Sequence, residues 1–221
     1  NESSIAVTGD SAGAYISAMI VNSGNKIATS GSFSDHLCIT PSYVPESITA
    51  EDVKNQNLLD VQAAVLSYGA YNLYSSALKG IFETRKNPFW TLALSKPRGV
   101  FGNNFNAQEN SEMYKAVSPI YNIPNIDERK LPPQFITSAS EDRVTPVHAI
   151  EEYVKALKDA GQEVTYWEYK DQRHAYLDSG KTFLSGNDFK RDAIPALKKI
   201  MNFLNSKLLK LFLQVYLSCG V

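Results

Sequence analysis

Five residues, Gly9-Asp10-Ser11-Ala12-Gly13, do most to limit the folds open to this chain. Ahead of them, Ser4-Ile5-Ala6-Val7-Thr8 has the character of a short buried strand. Behind them, the largely apolar run from Ala12 to Val21 fits a buried helix. The pentapeptide therefore predicts a sharp strand-to-helix turn with a serine at its apex, the arrangement of a nucleophile elbow. In such a turn the serine backbone is strained, so that its hydroxyl stands clear of the sheet. A side chain larger than hydrogen at position 9 or 13 is expected to crowd the strand and helix where they cross. The amide of Ala12, at the helix N-terminus, is expected to face a developing oxyanion. The competing reading is a plain glycine-rich turn.

With 221 residues, 43% hydrophobic and 20% charged, the chain is long enough for one domain with a sizeable core. A net charge of -1 gives no footprint for nucleic acid or another polyanion. The two cysteines, Cys38 and Cys219, make no disulfide framework and are expected to be free thiols. No signal-peptide pattern is visible, and the first residue is Asn1 rather than Met. The true N-terminus is thus expected upstream, and a cytoplasmic setting is favoured with the compartment left open. Asn1-Glu2-Ser3 matches a glycosylation sequon. The apolar run from Leu208 to Leu217 is too short to span a bilayer. It is expected to dock on the body as a final segment, with an interface or membrane-surface contact as the alternative.

Along the chain, residues 22–60 are polar and broken, which predicts mostly loop with one short helix. Residues 61–68 predict a second core strand. Residues 70–118 hold many aromatics, among them Tyr71, Tyr74, Phe82, Phe89, Trp90, Phe101, Phe105 and Tyr114, and predict a partly helical cap insertion over one end of the sheet. A third strand is expected at 134–139. The helix after it has Thr145 as its expected cap, Pro146 in its first position, Gly161 at its end, and a stripe of Val147, Ile150, Val154 and Leu157. A fourth strand is expected at 164–169. A last helix near 188–205 should bury Phe189, Ala193, Leu197, Ile200, Met201 and Leu204, with Pro195 marking a kink or a start. Strands alternating with helices predict an α/β fold with a mostly parallel sheet flanked by helices. The domain is expected to run over 1–206, followed by an apolar tail at 207–221. Sites in such sheets lie beyond the carboxyl ends of the strands, where Ser11 falls.

A serine hydroxyl needs a base in contact and a third group to orient that base. Ser140-Glu141-Asp142-Arg143-Val144-Thr145 follows the third strand, and Lys170-Asp171-Gln172-Arg173-His174-Ala175-Tyr176 follows the fourth. The order serine, acid, histidine is the one this elbow uses. Of the three histidines, His36 lies in a polar loop and His148 in the first turn of a helix, so His174 is the candidate base. Asp142 is the candidate acid, with Glu141, Asp171 and Asp178 read as solvated charges.

The set GDSAG, SEDRVTP and RHAY, in that order, resembles the hormone-sensitive-lipase-like branch of the α/β-hydrolase superfamily, from Ser4 to about Leu204. Ser118-Pro119-Ile120 is similar to the S-P segment of that branch. The resemblance implies Ser11 as nucleophile, His174 as general base, Asp142 as orienting acid and Ala12 N–H as an oxyanion donor. Asp10, with Gly9 and Gly13, would steady the elbow from behind, a charge on the rim of the turn being the other reading of Asp10. The implied activity is cleavage of small carboxylic esters through an acyl-enzyme, with no metal and no cofactor. Two alternatives stay open. One is a non-catalytic ligand-binding protein, as in plant gibberellin receptors, which lack the base. The other is a peptidase or amidase.

Two departures from the branch stand out. Position 14 is Ala where its members read Gly. The His-Gly-Gly oxyanion loop that precedes the elbow in those members is not in the sequence. The chain thus resembles the C-terminal two-thirds of a hydrolase, and alone it is expected to be a poor esterase. Self-association through the edge of the first strand or through the tail is expected. A trypsin-like reading fails, because only ten residues precede Ser11 and that chemistry needs His and Asp before the serine.

Overall fold

The computed structural model describes residues 5–24, 46–49, 52, 55–56, 59–79, 101, 105–178 and 186–218, with side chains to Leu208 in the last helix. Four parallel strands make one sheet: β1 (Ala6–Asp10), β2 (Ala63–Ser67), β3 (Gln134–Ala139) and β4 (Val164–Tyr169). Their order in space is the order in the chain, with Asp10 opposite Ser67, Ser67 opposite Thr137 and Ala139 opposite Tyr169. Helix α1 (Ala12–Ser23) follows β1, and α2 (Leu73–Leu78) and α3 (Ser111–Ala116) lie between β2 and β3. Helix α4 (Val147–Asp159) joins β3 to β4. A π-helical turn at Phe189–Ala193 leads into α5 (Ile194–Ser218). The expected parallel α/β sheet is what forms.

Side-chain alternation along the strands sorts two cores onto the two faces. One packs Ala64, Leu66 and Ile136 against Ala14, Ala18 and Val21 of α1 and Ile150, Val154 and Leu157 of α4. The other packs Ala63, Val65 and Phe135 against Ile200 and Phe203 of α5. Strands β2 and β3 are buried at every position, polar Ser67, Gln134, Thr137 and Ser138 included, so neither shows an apolar–polar alternation. Helices α1 and α4 share a face because each is a crossover between neighbouring strands laid down in the same direction. Following the last strand, α5 returns on the other side.

Several sequence expectations shift. Strand β1 runs into Gly9 and Asp10, so the turn itself is shorter than the pentapeptide suggested. Helix α4 has Pro146 in its cap position and no side-chain cap: Thr145 does not cap it, because that hydroxyl is engaged elsewhere. Gly161, at φ +75°, does follow the helix end. In the last helix the buried stripe is Ala193, Ala196, Ile200 and Phe203, while Phe189, Leu197 and Met201 are exposed. The α-helical part docks through Ala196, Ile200 and Phe203, one position round from Leu197 and Met201. Pro195 stands in the first turn of the α-helical part, where its missing N–H costs little. The backbone of 208–217 continues α5. His36, Cys38, Phe82, Phe89, Trp90, Cys219, the sequon at Asn1 and most of the loop expected over 22–60 lie outside the described residues, as does much of the insertion.

Candidate active site

Parallel strands in register bring their carboxyl ends to one edge of the sheet. Ser11 follows β1 there with φ 51° and ψ -117°, a conformation serine rarely adopts. Two contacts hold it: its amide donates to the Ser67 carbonyl at 2.9 Å, and its own carbonyl accepts the Tyr15 amide at 3.3 Å. A Cβ on Gly9 would stand 2.3 Å from the carbonyl carbon and oxygen of Gly13, so position 9 tolerates hydrogen alone. Position 13 is different. A Cβ built there meets nothing within 4 Å, and the expected crowding at Gly13 is corrected: the tight approach is between the side of residue 9 and the backbone of residue 13. Ala14, where Gly was the family expectation, is fully buried, and its methyl lies where Gly69 leaves room. Ala12 opens α1, and the first amides of a helix have no carbonyl within it to bond.

The loop after β3 carries Asp142, whose side chain is fully buried. One carboxylate oxygen, Oδ1, accepts the amides of Val144 at 2.8 Å and Thr145 at 2.9 Å. The other, Oδ2, lies 2.7 Å from His174 Nδ1 and accepts the Thr145 hydroxyl at 2.8 Å. His174, on the loop after β4, places Nε2 2.8 Å from Ser11 Oγ. Ser11, His174 and Asp142 thus form one chain of hydrogen-bonding distances across the sheet edge.

The two loops are tied together along their lengths. The Ser140 amide donates to the Tyr169 carbonyl, the Glu141 amide to the Gln172 carbonyl at 2.8 Å, and the Asp171 amide to the Ser140 hydroxyl at 2.8 Å. Asn187, itself buried, donates its side-chain amide to the His174 carbonyl at 2.8 Å. Glu141 is exposed and pairs with Arg173 at 3.3 Å, while Asp171 and Asp178 are exposed too. His148 is exposed on the first turn of α4.

Four residues that sequence reasoning assigned no place here border the site. Tyr68, at the end of β2 with φ 40°, puts its hydroxyl 3.2 Å from Asp10 Oδ2 and its carbonyl 3.0 Å from the Thr145 hydroxyl. Burial is the first cause that pushes its phenol far up, followed by the charge of Asp10. Tyr176 is fully buried edge-on to Tyr68, and its hydroxyl meets that of Thr137. Thr145 and Asn187 complete the set. Only Thr145 carried a signal, and the pair Thr-Pro ahead of a helix pointed it to a cap. Among the described residues, no group of three or more His, Cys, Asp or Glu could hold a metal ion, and no helix is long and apolar enough to cross a membrane.

Among solved structures, the chain is similar to the acylaminoacyl peptidase of Pyrococcus horikoshii at 19% identity and TM-score 0.56, over 94% of this chain and 25% of that one. It is similar to a propionate-bound thermophilic esterase of the planctomycete Thermogutta terrifontis at 18% identity and TM-score 0.50, over 90% of this chain and 56% of that one. A bifunctional GH43-CE protein of Bacteroides eggerthii matches at 14% identity and TM-score 0.57, over 90% and 23%. The chain therefore spans from 23% to 56% of the length of these proteins, and at such identities the likeness is one of fold. No curated protein matches the sequence. The family model described as alpha/beta hydrolase fold matches residues 1–178, a stretch that holds Ser11, Asp142 and His174. The chain belongs to the alpha/beta hydrolase fold-3 family.

Proposed function

We propose that this protein is a serine carboxylesterase acting on small esters through an acyl-enzyme. The observation that carries the reading is the continuous relay Ser11 Oγ to His174 Nε2 at 2.8 Å and His174 Nδ1 to Asp142 Oδ2 at 2.7 Å. With the Nδ1 proton directed at Asp142, the lone pair of Nε2 faces the serine hydroxyl. As Ser11 Oγ bonds to the ester carbonyl carbon, its proton passes to Nε2 and the carbonyl π electrons move onto oxygen. The Ala12 amide supports that oxyanion. When the tetrahedral intermediate collapses, the C–O bond to the alcohol breaks and the imidazolium hands its proton to the departing alkoxide. Water then repeats the sequence: it loses a proton to His174, attacks the acyl carbon and releases the acid with Ser11 restored. Asp142 stays ionised throughout and holds the imidazole in place.

The resemblance of the three motifs to the hormone-sensitive-lipase-like branch supports esters as the substrate class, and the propionate-bound esterase is compatible with short acyl groups. An acyl-peptide substrate is the second reading, since a structurally similar protein is an acylaminoacyl peptidase. The two separate on substrate panels. Hydrolysis of p-nitrophenyl acetate or butyrate is set against hydrolysis of an N-acetyl-aminoacyl p-nitroanilide. A fluorophosphonate probe should label the protein and should fail on Ser11→Ala. Labelling that survives this substitution overturns the assignment of Ser11, and turnover of anilide without ester moves the substrate class.

A further inference from the structure

Thr145 is buried, and its hydroxyl sits among three partners: Asp142 Oδ2 at 2.8 Å, the Tyr68 carbonyl at 3.0 Å and His174 Nδ1 at 3.3 Å. Its amide also donates to Asp142 Oδ1 at 2.9 Å. A threonine hydroxyl has one proton to give. Two acceptors, a carboxylate and a backbone carbonyl, compete for it. The carboxylate is charged and nearer, so the resting proton lies on Asp142. The carbonyl that waits beside it belongs to a tyrosine held at φ 40°, a backbone state bulky residues avoid. It ties the end of β2 to the loop that follows β3.

Resting on the Ser11-His174-Asp142 reading, we infer that Thr145 is a positioning residue of the acid–base pair: its hydroxyl fixes Asp142 Oδ2 against the imidazole, while its amide holds Oδ1. A carboxylate oxygen has two lone pairs, so Oδ2 accepts the Thr145 hydroxyl and Nδ1–H together. Once His174 has taken the serine proton, the Nδ1–H bond to Oδ2 becomes charge-assisted on both sides, and an Oδ2 held in line counts most in that state. The Tyr68 carbonyl at 3.0 Å closes the other side of the hydroxyl. Other charged and titratable groups surround this cluster at one remove. Asp10, Asp178 and Tyr176 face Tyr68, and Glu141 pairs with Arg173.

The test compares Thr145→Val, which keeps shape and loses the hydroxyl, with Thr145→Ser, which keeps the hydroxyl and loses the methyl. Ser11→Ala is measured alongside. On p-nitrophenyl butyrate, Thr145→Val should lower kcat roughly 10-fold with KM unchanged, the effect of one charge-assisted bond. The acidic limb of its kcat/KM profile should move to lower pH, because an Asp142 no longer fixed by that hydroxyl holds the imidazolium less firmly. Thr145→Ser should restore both. Should Thr145→Val fail to fold by circular dichroism, Thr145→Cys, with a weaker donor of similar size, is read by the same limb. A dead Ser11→Ala beside a Thr145→Val with wild-type kcat and an unmoved limb overturns the inference. So does a loss that Ser cannot restore, which would mark Thr145 as packing. An active Ser11→Ala overturns the triad reading itself, and is told apart by that result alone.

Discussion

The ring of Tyr68 stands edge-on to the imidazole of His174, with centroids 5.1 Å apart and planes at 67°. The same ring meets Tyr176 edge-on at 4.8 Å. Tyr68 is therefore a wall for that imidazole, and its hydroxyl, 3.2 Å from Asp10, is a separate attachment. Tyr68→Phe should leave kcat/KM within about 3-fold, because the lost bond is to a half-open carboxylate worth little in water. Tyr68→Ala should cost about 3–5 kcal/mol of stability by cavity formation and lower kcat by more than about 10-fold as the imidazole loses its backing. Urea denaturation and butyrate kinetics on both variants decide it. Equal damage in the two would place the effect in the phenol rather than the ring.

Loss of base and loss of acid should differ. His174→Ala should reduce kcat almost as far as Ser11→Ala, since Nε2 is the base set 2.8 Å from the serine hydroxyl. Asp142→Asn should cost roughly 10⁴, because the relay then favours the wrong imidazole tautomer. His148→Ala and His36→Ala should turn over at the wild-type rate. A dead His148 or His36 variant beside an active His174→Ala would assign the base elsewhere.

The elbow glycines make a sharper contrast. Gly9→Ala drives a methyl to 2.3 Å from the Gly13 carbonyl, an overlap only backbone movement relieves. It should cost more than about 3 kcal/mol and abolish fluorophosphonate labelling. Gly13→Ala meets open space at the start of a helix, and should fold with a melting temperature at or above the parent's, since Ala exceeds Gly in a helix by about 1 kcal/mol. Thermal melts of the pair, with labelling as the second readout, test both halves.

Much of this was legible in the chain because each motif sits where a strand stops. The bounds 134–139 and 164–169 for β3 and β4 follow from continuous apolar and aromatic runs between turn residues. Ser11, Asp142 and His174 could be picked out as candidates from the loops that follow three strands and from their order, and the structure brings these three together. What stayed hidden was carried by backbone shape and by partners distant in sequence. Tyr68 reads as the last residue of a strand, and only its positive φ turns its carbonyl to Thr145, 77 positions away. Thr145 bears a helix-start pattern, and nothing local says that a buried carboxylate will claim its hydroxyl. The stripe of α5 lies one position round from the expected one because Leu197 and Met201 share helical spacing with Ala196, Ile200 and Phe203, and spacing alone does not say which set docks. Gly13 looked as constrained as Gly9 because the pattern is symmetric about Ser11, while the crossing of strand and helix is not.

Asp192 offers a test of how the base loop is anchored. Its side chain is buried in that π turn, bonded to Arg191 Nε and Nη2 at 2.6 Å each and to the Asp188 amide at 2.8 Å. The bond from Arg191 holds its carboxyl below the usual carboxylate range. A carboxyl lowered on folding contributes stability above its unfolded pKa of about 4 and loses it as pH falls through the folded value. Melting temperature should therefore drop between pH 5 and pH 3 more steeply in the parent than in Asp192→Asn. At pH 7 the variant should be weaker by about 1.5–3 kcal/mol. Parallel slopes for the two proteins would show that Asp192 contributes nothing to the acid sensitivity.

Ser11, Asp142 and His174 come from the ends of β1, β3 and β4, so β2 gives the relay no side chain and acts as its spacer. Neighbouring strands lie about 4.8 Å apart, and the loop after β4 must reach back some 14 Å to meet the serine. That span is set by sheet order, and it does not depend on how much chain lies between one strand and the next. Beyond Tyr68, whose ring and carbonyl touch His174 and Thr145, the chain leading to Gln134 can change in length without moving the strand ends that carry the imidazole and the hydroxyl. Sheet order, and not the length of chain between strands, sets where the imidazole and the hydroxyl meet.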